Sequence, residues 1–257
     1  MFLQTALHST ASLPVAYFRA GDHVCLFYRS PEELLATLIP YIRVGLERNE
    51  RCFCAQPAEV RAQLMVGLET QGIQVDSALK RGALVLVDPE QIYFEEGQFD
   101  PQVMTELLRS SIQGAVQDGF SGFRAAGEMH WSLSERPGCD RLLEYETLIN
   151  TFYPRRPAIG LCAYPASAFT PEKLQKILEA HRLALLEDYP KPTHRTVRIR
   201  NGSFYGDIAF DGIKGSMFHC LIQRNSGGEI LSWTHEQSLG DAITSVERQL
   251  RCLGQSV

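Results

Sequence analysis

The chain has 257 residues, 44% hydrophobic and 21% charged, a balance ordinary for a globular protein with room for a sizeable core. Its formal net charge of −5 supplies no basic field, which disfavours direct nucleic-acid binding over a broad face. The opening stretch lacks a basic segment followed by a continuous apolar block, so neither a signal peptide nor a membrane span is expected, and a cytoplasmic location is.

Residues 1–20 read as an irregular leader. From His23 the pattern alternates strand and helix: "HVCLFY", then "PEELLATLIPYIRVGLERN"; "RCFCAQ", then "PAEVRAQLMVGLETQG"; "GALVLVD", then a connection and the helix "PQVMTELLRSSIQGAVQDG". The strand "FRAAGEM", the helix "CDRLLEYETLINTFYP", the strand "AIGLCAY" and a long helix over "TPEKLQKILEAHRLALLED" complete the series. Near-continuous apolar strands separated by helices predict an α/β fold, a mainly parallel sheet covered by helices on both faces, over residues 21–188. A Pro-rich linker is expected at 189–195. A small α+β module follows at 196–257, with strands in "VRIR", "SFYGDIAF", "SMFHCLIQ" and "EILSW", turn signals at Asn201-Gly202, Asp211-Gly212 and Gly227-Gly228, and a closing helix. At roughly 60 residues it is too small to stand alone comfortably, so it should pack on the main domain or serve dimerisation or output.

The first strand-to-helix junction, "YRSPEE", occupies the place of a phosphate loop but has neither glycine nor lysine. Ser30 suits the helix cap, Pro31 the first helical position, and Glu33 the far corner of a capping box. Glu32 and Glu33 complement the positive helix end where a polyphosphate would otherwise lie, and would repel one.

Seven scattered cysteines without a CxxC argue against a disulfide framework. His23 and Cys25 alternate on one strand, and Cys52 and Cys54 on another; they would converge on a metal only if those strands were neighbours. No cofactor is expected.

Five segments in order, "HVCLFYRSPEELLATLIPYIRVGLERNERC", "DPEQIYFEEGQFDPQVM", "FRAAGEMHWSL", "LLEYETLIN" and "GLCAY", resemble the MEDS domain, the methanogen/methylotroph sensory domain, from about Asp22 to Leu186. The resemblance implies a RecA-like fold without a functional phosphate loop, in a signalling protein that senses small organic compounds and works beside kinase-type or transcription-regulating partners. Two positions depart from the family pattern: Pro165 stands where an Asp usually follows the last strand's Tyr, and His181-Arg182 replaces a closing His-Pro.

Ligands of open parallel sheets bind beyond the carboxyl ends of the strands. The candidates there are Tyr28, Arg29 and Ser30 after the first strand, Glu128 and Trp131 after the fourth, and Tyr164 ending the fifth. Tyr145, Glu146 and Asn150 lie on the intervening helix in two adjacent stripes. Glu128 could instead accept an ion pair from Arg124 or Arg29, and Glu146 one from a neighbouring strand's arginine. The aromatics of "IYFEEGQFDP" read as a local lid on the core or as a mobile cover. The function expected is a non-enzymatic sensory or regulatory protein, a homodimer, binding a small organic ligand or a signalling partner. The alternatives are a partner-switching interaction regulator, with "SMFHCLI" as its pairing edge, and a residual nucleotide-binding enzyme.

Overall fold

The β-branched and aliphatic runs of this sequence pair into one sheet of ten described strands. The structure, a computed structural model, describes residues 13–16, 18–187, 195–201, 204–210, 218–224, 230–236 and 239–254. After one helical turn, α1 (Leu13–Ala16), the chain runs β1 (His23–Tyr28), α2 (Pro31–Glu47), β2 (Glu50–Ala55), α3 (Ala58–Thr70), α4 (Val75–Lys80), β3 (Leu84–Val87), α5 (Pro89–Tyr93) and α6 (Pro101–Gln117). Then come β4 (Gly122–Glu128), α7 (Leu142–Phe152), β5 (Ala158–Pro165), α8 (Pro171–Ala180) and β6 (Leu183–Glu187). The C-terminal segment contributes β7 (Arg195–Asn201), β8 (Phe204–Phe210), β9 (Phe218–Arg224), β10 (Ile230–Glu236) and α9 (Leu239–Gly254).

The strand order is β10-β9-β8-β7-β6-β1-β5-β4-β2-β3. From β6 through β3 every pairing is parallel, and from β6 outward to β10 every pairing is antiparallel. Alternation along the strands sorts the core into two layers. On one face Val24 and Leu26 of β1 pack with Leu34, Leu38 and Ile42 of α2. On the other, Cys25, Cys162 and Tyr164 pack with Met104, Leu108 and Ile112 of α6 and with α7 and α8. The architecture is therefore α/β, a mainly parallel sheet with helices on both faces.

Two sequence expectations change here. The long helix foreseen through Asp188 ends at Ala180; His181 is extended (φ −103, ψ 139), and Leu183–Glu187 forms β6 between β1 and β7. The apolar run "LALLE" pairs on both edges, a gain that outweighs its helical propensity. The expected pairing edge "SMFHCLI" is also not an edge, because β9 lies between β8 and β10 and β10 takes the outer place. Ala242, Val246 and Leu250 of α9, spaced by four, pack into the same core layer as β1 and α2. Gly206 of β8 is where α9 comes closest: an added Cβ would lie 2.3 Å from Val246. The leader before residue 13, the linker apart from Arg195, and the turns at Asp211-Gly212 and Gly227-Gly228, with Gly202 of the first turn, lie outside the described residues.

Candidate functional site

At the β1–α2 junction the helix end is satisfied by the protein's own side chains. Ser30 Oγ accepts from the Glu33 amide at 3.4 Å, with Pro31 opening the helix. The Glu33 carboxylate reaches back to accept from the Arg29 amide at 2.7 Å and from the Arg29 guanidinium at 3.0 Å. Glu32, fully exposed, is held below the usual carboxylate range by Ser30. The positive helix end thus already carries two carboxylates and an engaged arginine.

Beside it, Tyr28 donates its hydroxyl to Glu128 Oε1 at 2.8 Å, and the His130 amide donates to the same oxygen at 3.0 Å. The ion pair considered between Glu128 and Arg29 or Arg124 does not form. Arg29 is held by Glu33, and Arg124 sits four residues, roughly 13 Å, down the same strand against Glu50. Burial raises the Glu128 carboxyl above its ordinary 4.5, outweighing both hydrogen bonds. The tyrosine hydroxyl is likewise pushed up by burial and by the facing carboxylate. A raised acid binds more protons folded than unfolded, so folding loses stability as pH climbs from 4.5 through the folded value. Glu128→Gln keeps both hydrogen bonds through its Oε1 and removes the buried charge. Its melting midpoint is expected to exceed that of the unaltered chain at about pH 8 and to converge with it below about pH 4. A lower midpoint at the higher pH would show the carboxylate to be stabilised by ionisation instead.

On the opposite face of the sheet lies a second polar cluster, assembled from four elements. His23 opens β1, Glu146 sits midway along α7, Cys162 is on β5, and His181 caps α8. All four are buried, Glu146 with no exposure at all. Glu146 Oε2 is 3.0 Å from His181 Nε2 and 3.3 Å from His23 Nε2, and His23 Nε2 is 3.4 Å from Cys162 Sγ. Tyr164 donates to the other oxygen, Oε1, at 2.5 Å. Glu146 therefore accepts from a tyrosine and faces two histidines, in place of the arginine considered from the sequence. Burial alone would raise Glu146; the His181 imidazole, then His23, outweigh it and hold the carboxyl well below the usual range. Burial pushes His23 down, and the His181 ring pushes the same way. Burial, with Glu146 beside it, pushes the Cys162 thiol well up. The cluster is walled by Tyr153, whose ring stacks on His23 at 5.6 Å. Tyr153 in turn fills the space above Gly160, where a Cβ would lie 2.5 Å from the ring.

The sequence candidates thus divide. Tyr28, Arg29, Ser30 and Glu128 share one corner. Tyr145, Glu146, Asn150 and Tyr164 lie on the other face, because the β1–β5 register sets Tyr164 against Phe27 and not Tyr28. Trp131 is buried in the same core layer as Tyr145 and Tyr164, its ring 4.4 Å from Tyr93 and 4.3 Å from Phe99, so the aromatics of 92–101 fold back onto the core. The considered set His23, Cys25, Cys52 and Cys54 does not converge: β5 and β4 stand between β1 and β2, a separation of roughly 14 Å, and the two pairs face different core layers. Among the described residues, the group that brings metal-type donors together is His23, Glu146, Cys162 and His181, their donor atoms within 4.8 Å of one another. Cys162 was not singled out from the sequence, and His181 was noted only as a departure from the family pattern. The alternation in "GLCAY" puts Cys162 and Tyr164 on one face and would have signalled the first; His181 was hidden inside a supposed helix.

The family model described as "MEthanogen/methylotroph, DcmR Sensory domain" (MEDS) matches residues 22–182. No curated protein matches the chain. Among solved structures, a KaiC-like protein of the archaeon Pyrococcus horikoshii OT3 is similar at 14% identity and a TM-score of 0.45, over 84% of this chain and 91% of its own. The flagellar accessory protein FlaH of Methanocaldococcus jannaschii is similar at 12% identity and a TM-score of 0.46, over 85% and 91%. No helix among the described residues is long and apolar enough to cross a membrane.

Proposed function

The chain belongs to the MEDS family of sensory domains, and from that premise we propose that it is a non-enzymatic sensory or regulatory protein. It binds a small organic ligand at the carboxyl ends of β1 and β4 and passes the signal to a kinase or transcription-regulating partner. The observation that carries this reading is the closed β1–α2 corner. Ser30 and Glu33 occupy the hydrogen bonds and the charge position that a polyphosphate needs, and Arg29 is tied to Glu33. What remains beside that corner is a half-buried phenol on a carboxyl that burial keeps protonated more readily, a pair suited to a small polar or partly apolar molecule and not to a highly charged one.

A thermal-shift screen of small alcohols, acids, amides and halogenated hydrocarbons against the full chain tests this. A compound that binds is expected to raise the melting midpoint in proportion to the logarithm of its concentration, and to lose most of that shift in Tyr28→Phe. A stabilising compound whose effect Tyr28→Phe leaves intact would remove the site from this corner. A second reading, an interaction regulator that pairs edge to edge, has support in β10, which lies outermost in the sheet with a seven-residue strand.

A further inference from the structure

The cluster on the other face of the sheet asks for something its own atoms do not supply. His181 Nδ1 lies 2.8 Å from the Ile177 carbonyl oxygen, which can only accept, so that nitrogen carries a proton. In the neutral ring the opposite nitrogen, Nε2, then presents a bare lone pair, and it points at Glu146 Oε2, 3.0 Å away. Neither atom has a partner in hydrogen-bonding geometry, although both side chains are buried. With the ring neutral, lone pairs face one another in the buried core, an arrangement that a cation between them, a proton or a metal ion, resolves.

We propose that His23, Glu146, Cys162 and His181 form a buried four-coordinate site for a divalent transition metal, zinc fitting best. A tetrahedral ion with bonds of about 2.0–2.3 Å holds its donors roughly 3.3–3.8 Å apart. Of the recorded separations, 3.3 and 3.4 Å fall in that range, 3.0 Å is 0.3 Å short of it, and all four donor atoms lie within 4.8 Å of one another. Two imidazoles, a thiolate and a carboxylate suit zinc and not calcium or magnesium. Charge balances as well: a divalent ion, one carboxylate and one thiolate sum to zero, so the completed site adds no net charge to the core. On binding, the Cys162 S–H bond breaks, a metal–sulfur bond forms, and the proton leaves to solvent. The outer contacts are those a metal site uses to aim its ligands: Ile177 O fixes the His181 ring, and Tyr164 fixes the carboxylate. With four protein donors the site is closed and structural, joining β1, β5, α7 and the α8–β6 junction. Next to His181, Arg182 pairs with Asp22 at 2.8 Å and with Glu247 of α9 at 3.3 Å, so the metal would brace the point where the antiparallel C-terminal strands join the parallel part of the sheet. This inference stands independently of the ligand corner.

Because the donors are buried, metal must enter as the chain folds. The full chain is therefore produced in zinc-supplemented and, separately, cobalt-supplemented medium, washed with chelator and analysed for metal. One equivalent per chain is expected, with tetrahedral cobalt bands in the visible and thiolate-to-cobalt charge transfer in the near ultraviolet. Cys162→Ser is expected to abolish the charge transfer. Tyr164→Phe, which keeps the packing, is expected to weaken zinc binding about 10- to 100-fold in a chelator competition. A folded chain that leaves zinc-rich medium without metal would overturn the assignment. So would a metal content and cobalt spectrum unchanged by Cys162→Ser and Tyr164→Phe, which would move the ion elsewhere, for instance to the exposed Cys252.

Discussion

Glu146→Ala is expected to destabilise the chain by about 3–5 kcal/mol, the usual consequence of removing one partner from a buried charged network. The Glu146 side chain has no exposure, and it takes a hydroxyl from Tyr164 on one oxygen and faces two imidazoles on the other. Its removal leaves three polar side chains facing the vacated space, each orphan costing about 1–3 kcal/mol when nothing else relaxes. For a chain of this size the melting midpoint should fall by roughly 10 °C. Glu146→Gln should recover part of the loss, since its oxygen still accepts from Tyr164 and its amide can donate to the bare His181 nitrogen. Urea denaturation measures both variants. A loss below about 1 kcal/mol for the alanine variant would mean that the network adds little to folding.

The second large effect belongs to Arg124, whose guanidinium is wholly buried on the other face. Its Nε donates to Glu50 at 2.5 Å, its plane lies 4.6 Å from the Tyr41 ring centre, and its two terminal nitrogens have no hydrogen-bond partner. A buried cation thus rests on one carboxylate and one aromatic face. Glu50→Ala should therefore cost about 3–5 kcal/mol, whereas the double variant Glu50→Leu with Arg124→Met should return close to the unaltered stability. The four-corner cycle of the unaltered chain, Glu50→Leu, Arg124→Met and their combination, measured by denaturant midpoints, separates the two contributions. If the single and double variants lost stability equally, the pair would not be the element that matters. Gly45 is fitted to this arginine: an added Cβ would lie 2.8 Å from Arg124 Cδ.

Much of the fold was legible because strand and helix periods differ. The runs at 23–28 and 158–165 are too apolar and too short for helices, and Ser30-Pro31, Asp100-Pro101 and Thr170-Pro171 mark three helix starts that the caps reproduce. What could not be read was adjacency. Nothing in "HVCLFY" and "RCFCAQ" says that two strands come between them, and that order separates His23 from Cys52 and Cys54 while bringing it to Cys162. β6 was lost because "KILEAHRLALLE" keeps a helical spacing of apolar residues with no Gly or Pro to stop it, and only pairing on both edges makes it a strand. Losing β6 also lost His181. Glu146, Asn150 and Tyr164 were singled out by position, yet their partners depended on register: one residue of shift along β1 decides whether Tyr164 shares a face with Phe27 or with Tyr28.

At the β1–α2 corner Ser30, Glu33 and Arg29 already satisfy one another, leaving no place for a polyphosphate. Isothermal calorimetry of the full chain with ATP and Mg²⁺ tests it most directly. The expected result is no saturable heat up to millimolar nucleotide, with Glu33→Gln behaving the same way. Micromolar, magnesium-dependent binding that a substitution at Arg29 weakens would contradict it.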